Sequence, residues 1–481
     1  MIQKDAYIVI DIGTGNARVA VVQPGGQVLS VARADIRYMK DERHPDALYF
    51  DPPALWATIT DLAKKALAAS PGVQIMALTA TSQREGVVLI NNKGQAVTGL
   101  PNIDHRGREW EDRIGDKSRI YQLAGRYPTS LFSAFKLLGI REKRKEHWKD
   151  LAVFLSISDW VTWQLTGIAQ YEHSQASETL LYDIAKKEWS EELCGLFGMD
   201  KKLLAPLADA ATIAGTLTKD AAAAWGLPAD TVVVTGGGDT QLAIKSARPS
   251  VDDVVMVSGT TTPLVKLVNT YTIDPRERTW TSRDVEHGRF VLEANAGVTG
   301  LNYQRLKEIF YPNESYALIE KELAENKHSS CMASLGSLVA GEKIPLTKGG
   351  FVFPAPVTHA LTRSCFVRAT LLDMAFSIAE NYNILYEVAG HEPDYIWACG
   401  GGLQSPALRQ FIADSIQKEI RLREGYEQSS AAGGALVCNE ALNISPELSD
   451  KMERVVPSGE DTIAALYSAW KQTRDCFRQS C

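Results

Sequence analysis

The sequence is short of paired cysteines, of long apolar runs and of surplus positive charge, and each shortage removes a class of protein. Its seven cysteines (194, 331, 365, 399, 438, 476 and 481) are scattered, odd in number and form no CxxC pair. That pattern points to reduced thiols rather than a disulfide framework or a zinc site. No apolar run approaches the ~20 residues that a membrane-spanning helix needs. The opening MIQKDAYIVIDIG lacks the basic, apolar and small-residue zones of a signal peptide, so a cytoplasmic protein is expected. Lys and Arg number 51 against 58 Asp and Glu, for a net charge of −7. An acidic balance argues against a nucleic-acid partner while leaving room for a local cationic pocket. The eight histidines are isolated, with no HExxH, and neither GxxxxGK[ST] nor GxSxG occurs. The mixed-sign run REKRKEHWK (141–149) reads as a solvated helix face.

What remains is an ordinary globular mixture, 45% apolar and 23% charged, in 481 residues, which is too long for one core. Strand patterns at IVIDI, ARVAVV, VLSVARADI, QIMALTATS and VVLINN alternate with helical spacing over 54–69. A longer helical tract is expected over about 107–150, and SDWVTWQLTG starts a helix that Gly167 ends. A second α/β unit begins near 232, with TVVVTGGGD, DVVMVSGTTTPLVKL, RFVLEANAG and YIWACGGG as strands around the long helix TLLDMAFSIAENYNILYEVAG. The boundary is expected near 243–250, dividing the chain into 1–245 and 246–481. One internal echo stands out: IVIDIGTGNARVAV (8–21) aligns without gaps to VVMVSGTTTPLVKL (254–267). Both are strand, Gly-Thr turn, strand, which fits either two common hairpins or a duplicated fold.

Five stretches can carry chemistry. In DIGTGNAR (11–18), turn N–H groups suit an anion and Asp11 suits Mg2+, although Asp and Gly are ordinary turn residues. It is not GxGxxG, because Arg18 fills the third glycine position. In TVVVTGGGDTQLA an apolar strand delivers Asp239 at its C-terminal edge, as a helix cap or as an active-site carboxylate. SGTTTP (258–263) offers hydroxyls to phosphate oxygens. ACGGGLQSPALRQFIADSI (398–416) offers a glycine turn against which a flat base can lie, with Ser405 near a helix start. SQREG sets Arg84 beside Glu85 at the threshold of a strand, either as a surface ion pair or as a clamp for vicinal hydroxyls.

In their order, DIGTGNAR, SQREG, SDWVTWQLTG, GGGDTQ, SGTTT, GGGLQSPALRQFIAD and EQSSAAGGALV resemble the FGGY carbohydrate kinases over nearly the whole chain. The spelling of SQREGVVLINNKG and ISDWVTWQLTG is most similar to the autoinducer-2 kinases. The resemblance implies two RNase-H-like domains of the actin/hexokinase ATPase type around a central cleft. The first holds the sugar-binding side and first phosphate motif, the second the adenosine side. It implies ATP and Mg2+ as cofactors, with Asp11 at the metal. It implies Gly13, Thr14, Ser258, Gly259, Thr260 and Thr261 at the phosphates, and Gly401, Gly402 and Ser405 at adenosine. Arg84, Glu85 and Asp104 would bind a sugar whose hydroxyl is deprotonated by Asp239. An autoinducer-2-type dihydroxyketone leads as acceptor, followed by xylulose, ribulose, gluconate or a glycerol-like polyol; a sugar-sensing regulator and an actin-like ATPase are readings of another class. A small sugar or polyol is the expected partner, with no nucleic acid and no membrane; homodimerisation stays open. Three departures stand out: Asn102 where many relatives carry Trp, Thr240 where glycerol kinases carry Gln, and EQSSAAGGALV without the usual Ala-Leu-Gly.

Overall fold

The run YIVIDI is buried at every residue, so its strand needs cover on both faces and belongs at the centre of a sheet. A computed structural model describes residues 4–326, 329–342, 345–459 and 462–479, leaving the first three residues and Cys481 outside. Strand β1 (Lys4–Ile12) pairs antiparallel with β2 (Asn16–Val22), and β2 with β3 (Val28–Asp35). On its other side β1 runs parallel to β4 (Val73–Ser82), which runs parallel to β5 (Val232–Gly238). Helix Pro52–Ala68 makes the crossover from β3 to β4. Helix Ile157–Thr166 lies across β4 and β5; the Ser156 hydroxyl caps its start, and Gly167 at φ 75° ends it in the left-handed region.

The second sheet repeats this plan. Strands β6 (Val254–Val257), β7 (Thr261–Val268) and β8 (Phe290–Val298) form an antiparallel meander. Strands β9 (Tyr395–Cys399) and β10 (Glu419–Arg423) extend it parallel to β6. The order β8-β7-β6-β9-β10 matches β3-β2-β1-β4-β5 strand for strand and direction for direction. The echo between residues 8–21 and 254–267 is thus a shared layout, with a slip of one residue in pairing. Ile8 faces Val21, whereas Val254 faces Lys266.

One expectation is corrected. The helical tract over 107–150 is broken into a 3-10 turn (Arg108–Trp110) and helices Lys117–Ala124, Ser133–Lys143 and Lys145–Lys149. Asp116 and Gly125, both in the left-handed region, start and stop the first of these helices. The expected VVLI strand forms (Val87–Asn91), in a separate three-stranded sheet with Ala96–Leu100 and Leu151–Ser156. Charges of the REKRKEHWK run pair with Asp41, Glu109 and Glu142. Among the described residues no helix is long and apolar enough to cross a membrane. Cys194, Cys331, Cys365, Cys399 and Cys438 are buried thiols.

The helix Asp239–Ala247 serves both halves. Its Leu242 packs with Tyr7, Val9 and Val234, while Ala243, Ile244 and Ala247 pack with Val255 and Val265. Helix Ser429–Ala441 lies against it, and Gly433 permits the contact: a Cβ there would stand 1.9 Å from the Leu242 carbonyl oxygen. The chain after β7 also reaches back to the first half. Tyr121 Oη donates to the Thr279 carbonyl (2.9 Å), and the Thr281 N–H donates to the Gly125 carbonyl (2.8 Å). Between the halves lies a cleft of about 2240 Å³.

Candidate active site

The C-terminal ends of β1, β4, β5, β6 and β9 all open into this cleft, the edge where ligands bind in α/β sheets. At the end of β1, Asp11 lines the cleft and its Oδ2 accepts from Ser430 Oγ at 2.7 Å. Gly13 and Thr14 follow in a turn closed by the Gly13 N–H on the Asn16 carbonyl (3.0 Å). The Thr14 hydroxyl accepts from Asn102 Nδ2 (2.9 Å), so Asn102 braces this turn. Gln83 adds a second brace, donating to the Gly13 carbonyl (3.0 Å) and accepting from the Asn102 N–H (2.8 Å).

Past β4 the backbone is bent hard. Glu85 sits at φ 62°, a region costly for any residue with a Cβ, and such strain gathers at functional sites. Arg84 and Glu85 are both buried at the cleft wall. Arg84 is gripped from the other half of the chain: its two Nη groups donate to Glu293 Oε2 (2.5 Å) and Oε1 (3.0 Å). Glu293 stands on β8 and is steadied by Asn295 Nδ2 at 3.0 Å. Glu178 lies 3.7 Å from the same guanidinium and is itself bound by Arg126. Burial opposes the charge on Arg84, but Glu293 and Glu178 outweigh it and hold the proton more firmly than usual.

At the end of β5, Asp239 occupies the first turn of its helix, with Gly238 in the capping position. Its Oδ1 accepts from the N–H (2.6 Å) and hydroxyl (3.2 Å) of Thr240, the residue replacing glutamine. Burial and the charge of Asp11 push its pKa up to about 7, against the pull of Arg84. A carboxylate poised there can accept a proton at neutral pH. Asp11, a cleft-lining carboxylate at a strand end, also fits a magnesium ion. Among the described residues no cluster of three or more metal-ligating side chains occurs. Magnesium keeps several waters and takes only one or two carboxylates beside phosphate oxygens, so this donor set suffices.

Gly259, Thr260 and Thr261 line the opposite wall in the β6–β7 turn. Gly401 is exposed to the cleft, and the atom nearest its Cβ position is the Glu427 carbonyl oxygen at 3.9 Å. Gly402 also lines the cleft, and both it and Gly400 pack closely: a Cβ on either would come within 2.2 or 2.5 Å of Ser258 atoms. The glycine turn therefore interlocks the β6 and β9 loops, a different reason from contact with a flat base. Ser405 is 6% exposed, caps the helix Pro406–Ile416 and donates to Glu320 Oε1 at 2.5 Å. Asp104 alone among the expected residues does not line the cleft. It is wholly buried, with Oδ1 taking the Leu48 N–H (2.9 Å) and Oδ2 taking Arg106 Nε (2.8 Å).

Two family models match in chain order: the FGGY family of carbohydrate kinases, N-terminal domain, over residues 6–245, and its C-terminal domain over 327–442. YoaC of Bacillus subtilis (strain 168), which carries a provisional sugar-kinase name, is 48% identical over 483 residues, 100% of this chain and 99% of that one. The chain belongs to the FGGY family of carbohydrate kinases. This FGGY kinase, a phosphotransferase acting on an alcohol group, is also 24% identical to autoinducer-2 kinase of Escherichia coli (strain K12). That match runs over 479 residues, 94% of this chain and 89% of that one. Ligand-bound xylulose kinase from Lactobacillus acidophilus shares the fold at 16% identity and a TM-score of 0.84, over 98% of both chains. Plasmodium falciparum glycerol kinase with ADP does so at 18% identity and the same TM-score of 0.84, again over 98% of both.

Several FGGY-site neighbours escaped the sequence reading. Glu293 left one signal, a charged residue inside the apolar strand RFVLEANAG. Ser430, Glu178 and the buried segment Glu172–Gln175 left none that spacing alone can rank.

Proposed function

We propose that this FGGY kinase transfers the γ-phosphoryl group of ATP to a hydroxyl of a small uncharged polyhydroxy compound, with an autoinducer-2-type dihydroxyketone leading. The observation that carries the reading is Asp239, poised near pH 7 between Asp11 and the Arg84–Glu85 wall. The acceptor hydroxyl gives its proton to Asp239, its oxygen bonds to the γ-phosphorus, and the bond to ADP breaks. Gly13, Thr14, Gly259, Thr260 and Thr261 cradle the phosphates from both halves, and Gly401 faces the nucleoside. Asp11 would hold Mg2+, which neutralises phosphate charge. Ser405 shapes the nucleoside side through Glu320 and its helix, and Asp104 supports the sugar wall through Arg106 and Leu48. The sugar side belongs to residues 1–245 and the nucleotide side to 246–481, with Glu293 crossing between them.

The charge of the acceptor follows from Arg84. Glu293 already neutralises it, and Glu85 and Asp239 add negative charge at the same wall. A carboxylate on the acceptor would meet like charge there, which disfavours gluconate relative to pentuloses, polyols and 4,5-dihydroxypentane-2,3-dione. The likeness to enzymes named autoinducer-2 kinases supports the last of these.

A coupled ADP-release assay over 4,5-dihydroxypentane-2,3-dione, xylulose, ribulose, gluconate, glycerol and erythritol tests the reading. Turnover with an uncharged member, little with gluconate and little without acceptor are expected. Fastest turnover with gluconate sinks the charge argument, and undiminished ATP hydrolysis without acceptor sinks the kinase site. Asp239→Asn should lower kcat by roughly 10²- to 10⁴-fold while nucleotide still binds.

A further inference from the structure

Beneath the cleft floor lies a buried polar layer that does not line the cleft. Glu172, Ser174, Gln175 and Thr81 are at most 1% exposed. Ser174 Oγ accepts the Gly238 N–H at 2.9 Å, 64 residues along the chain, and donates to Glu172 Oε2 at 2.5 Å. Glu172 Oε2 also takes the N–H groups of Ser174 (2.8 Å) and Gln175 (3.1 Å). From the other side, Thr81 Oγ1 donates to the Gly237 carbonyl at 2.8 Å.

The Gly237 carbonyl and the Gly238 N–H are the two ends of one peptide unit, which is planar. Two hydroxyls from separate elements therefore hold one plane, and the next residue is Asp239. A diglycine step has the widest backbone freedom of any dipeptide, so without restraint it would let Asp239 swing. Glycine is nonetheless demanded there. A Cβ on Gly237 would come 2.6 Å from Val285 Cγ1 and 3.1 Å from Ser174 Oγ, and one on Gly238 would come 2.4 Å from Gln241 Oε1. Pairing with β4 and the hydroxyl clamp together supply the rigidity that these glycines give away. The same segment steadies the sugar wall, since Gln175 Nε2 donates to Ser82 Oγ (3.0 Å), two residues before Arg84.

We propose that Ser174, oriented by Glu172 and opposed by Thr81, is a positioning residue that fixes Asp239 through the Gly237–Gly238 peptide. Buried polar side chains cost desolvation that an apolar filling would avoid, so core packing alone gives no reason for this layer. The inference rests on Asp239 being the base.

The test uses the full chain with ATP and whichever of 4,5-dihydroxypentane-2,3-dione, xylulose, glycerol or erythritol is turned over fastest. Ser174→Ala should lower kcat roughly 10- to 100-fold, with both KM values and the ADP Kd held within about twofold. In the Asp239→Asn background the same change should cost less than about twofold, because a base that is gone needs no positioning. Thr81→Val should repeat the kcat loss and Thr81→Ser should restore it, which covers the case in which Ser174→Ala fails to fold. Glu172→Gln, which keeps the acceptor for Ser174, should stay near normal where Glu172→Ala does not. Retained kcat in folded Ser174→Ala and Thr81→Val overturns the proposal while leaving the base assignment standing. So does a loss that is fully additive with Asp239→Asn. Near-normal turnover of Asp239→Asn overturns the base assignment and this inference together.

Discussion

Asp239 draws its chemistry from its surroundings, because an ordinary aspartate is too weak a base to help much at neutral pH. Burial and Asp11 raise it to about 7. It must be deprotonated to act, so kcat/KM should climb as pH rises through about 7 and level off above; a profile flat from about pH 5 to 8 contradicts the assignment. Arg84 and Glu85 were visible as neighbours in sequence, but Glu293, which fixes the guanidinium, lies 209 residues beyond Arg84. Arg84→Ala should raise the acceptor KM by roughly tenfold or more, since hydrogen bonds to a buried charged group are worth about 1–3 kcal/mol each. The KM for ATP should stay within about twofold, and parallel rises in both would count against the clamp. Glu293→Ala leaves Arg84 buried without its bidentate partner, with only the more distant Glu178 and Glu85 beside it, and should combine the same acceptor defect with a lower Tm.

At the scale of elements, the helix Asp239–Ala247 carries Asp239 at one end and joins both cores along its length. Its contact with helix Ser429–Ala441 depends on Gly433, where the Leu242 backbone approaches too closely for any side chain. Gly433→Ala should therefore cost roughly 1–3 kcal/mol or more by forcing the helices apart, read as a fall in Tm. Turnover should fall with it, because Asp239 moves with the displaced helix. An unchanged Tm would mean that the helices separate freely. The strand runs and their glycine turns were readable because a buried strand and a tight turn are local patterns. The broken tract over 107–150 was not, because Asp116 and Gly125 reshape the backbone without interrupting its helical spacing.

Across the whole molecule, several carboxyls are buried with raised proton affinity. Asp159 is pushed up to about 7 and Glu172 to about 8, in both cases first by burial, and Asp239 to about 7. Each folded value lies above the unfolded one, so the folded chain holds more protons over the interval between them. Stability from these groups is fully present below about pH 4 and is lost as pH rises through about 7 to 8. From these groups Tm should therefore fall between about pH 4 and about pH 8 and level off above. Glu172→Gln, which cannot ionise, should flatten part of that fall; equal slopes in both proteins would place Glu172 among the ordinary carboxylates.

The sequence by itself determined the family, the strand-turn-strand pattern of each half and most residues that face the cleft. Those signals are carried by neighbours in the chain: glycines, hydroxyls and carboxylates at the ends of apolar strands. Only the tertiary structure decided that Asp104 turns away from the cleft, that Gly400 and Gly402 interlock loops, and that Glu293 neutralises Arg84. It alone brought Ser174 to the Gly238 N–H, one residue before Asp239. Such contacts join residues far apart in sequence, and a buried polar group reveals its partner only once the chain has closed around it.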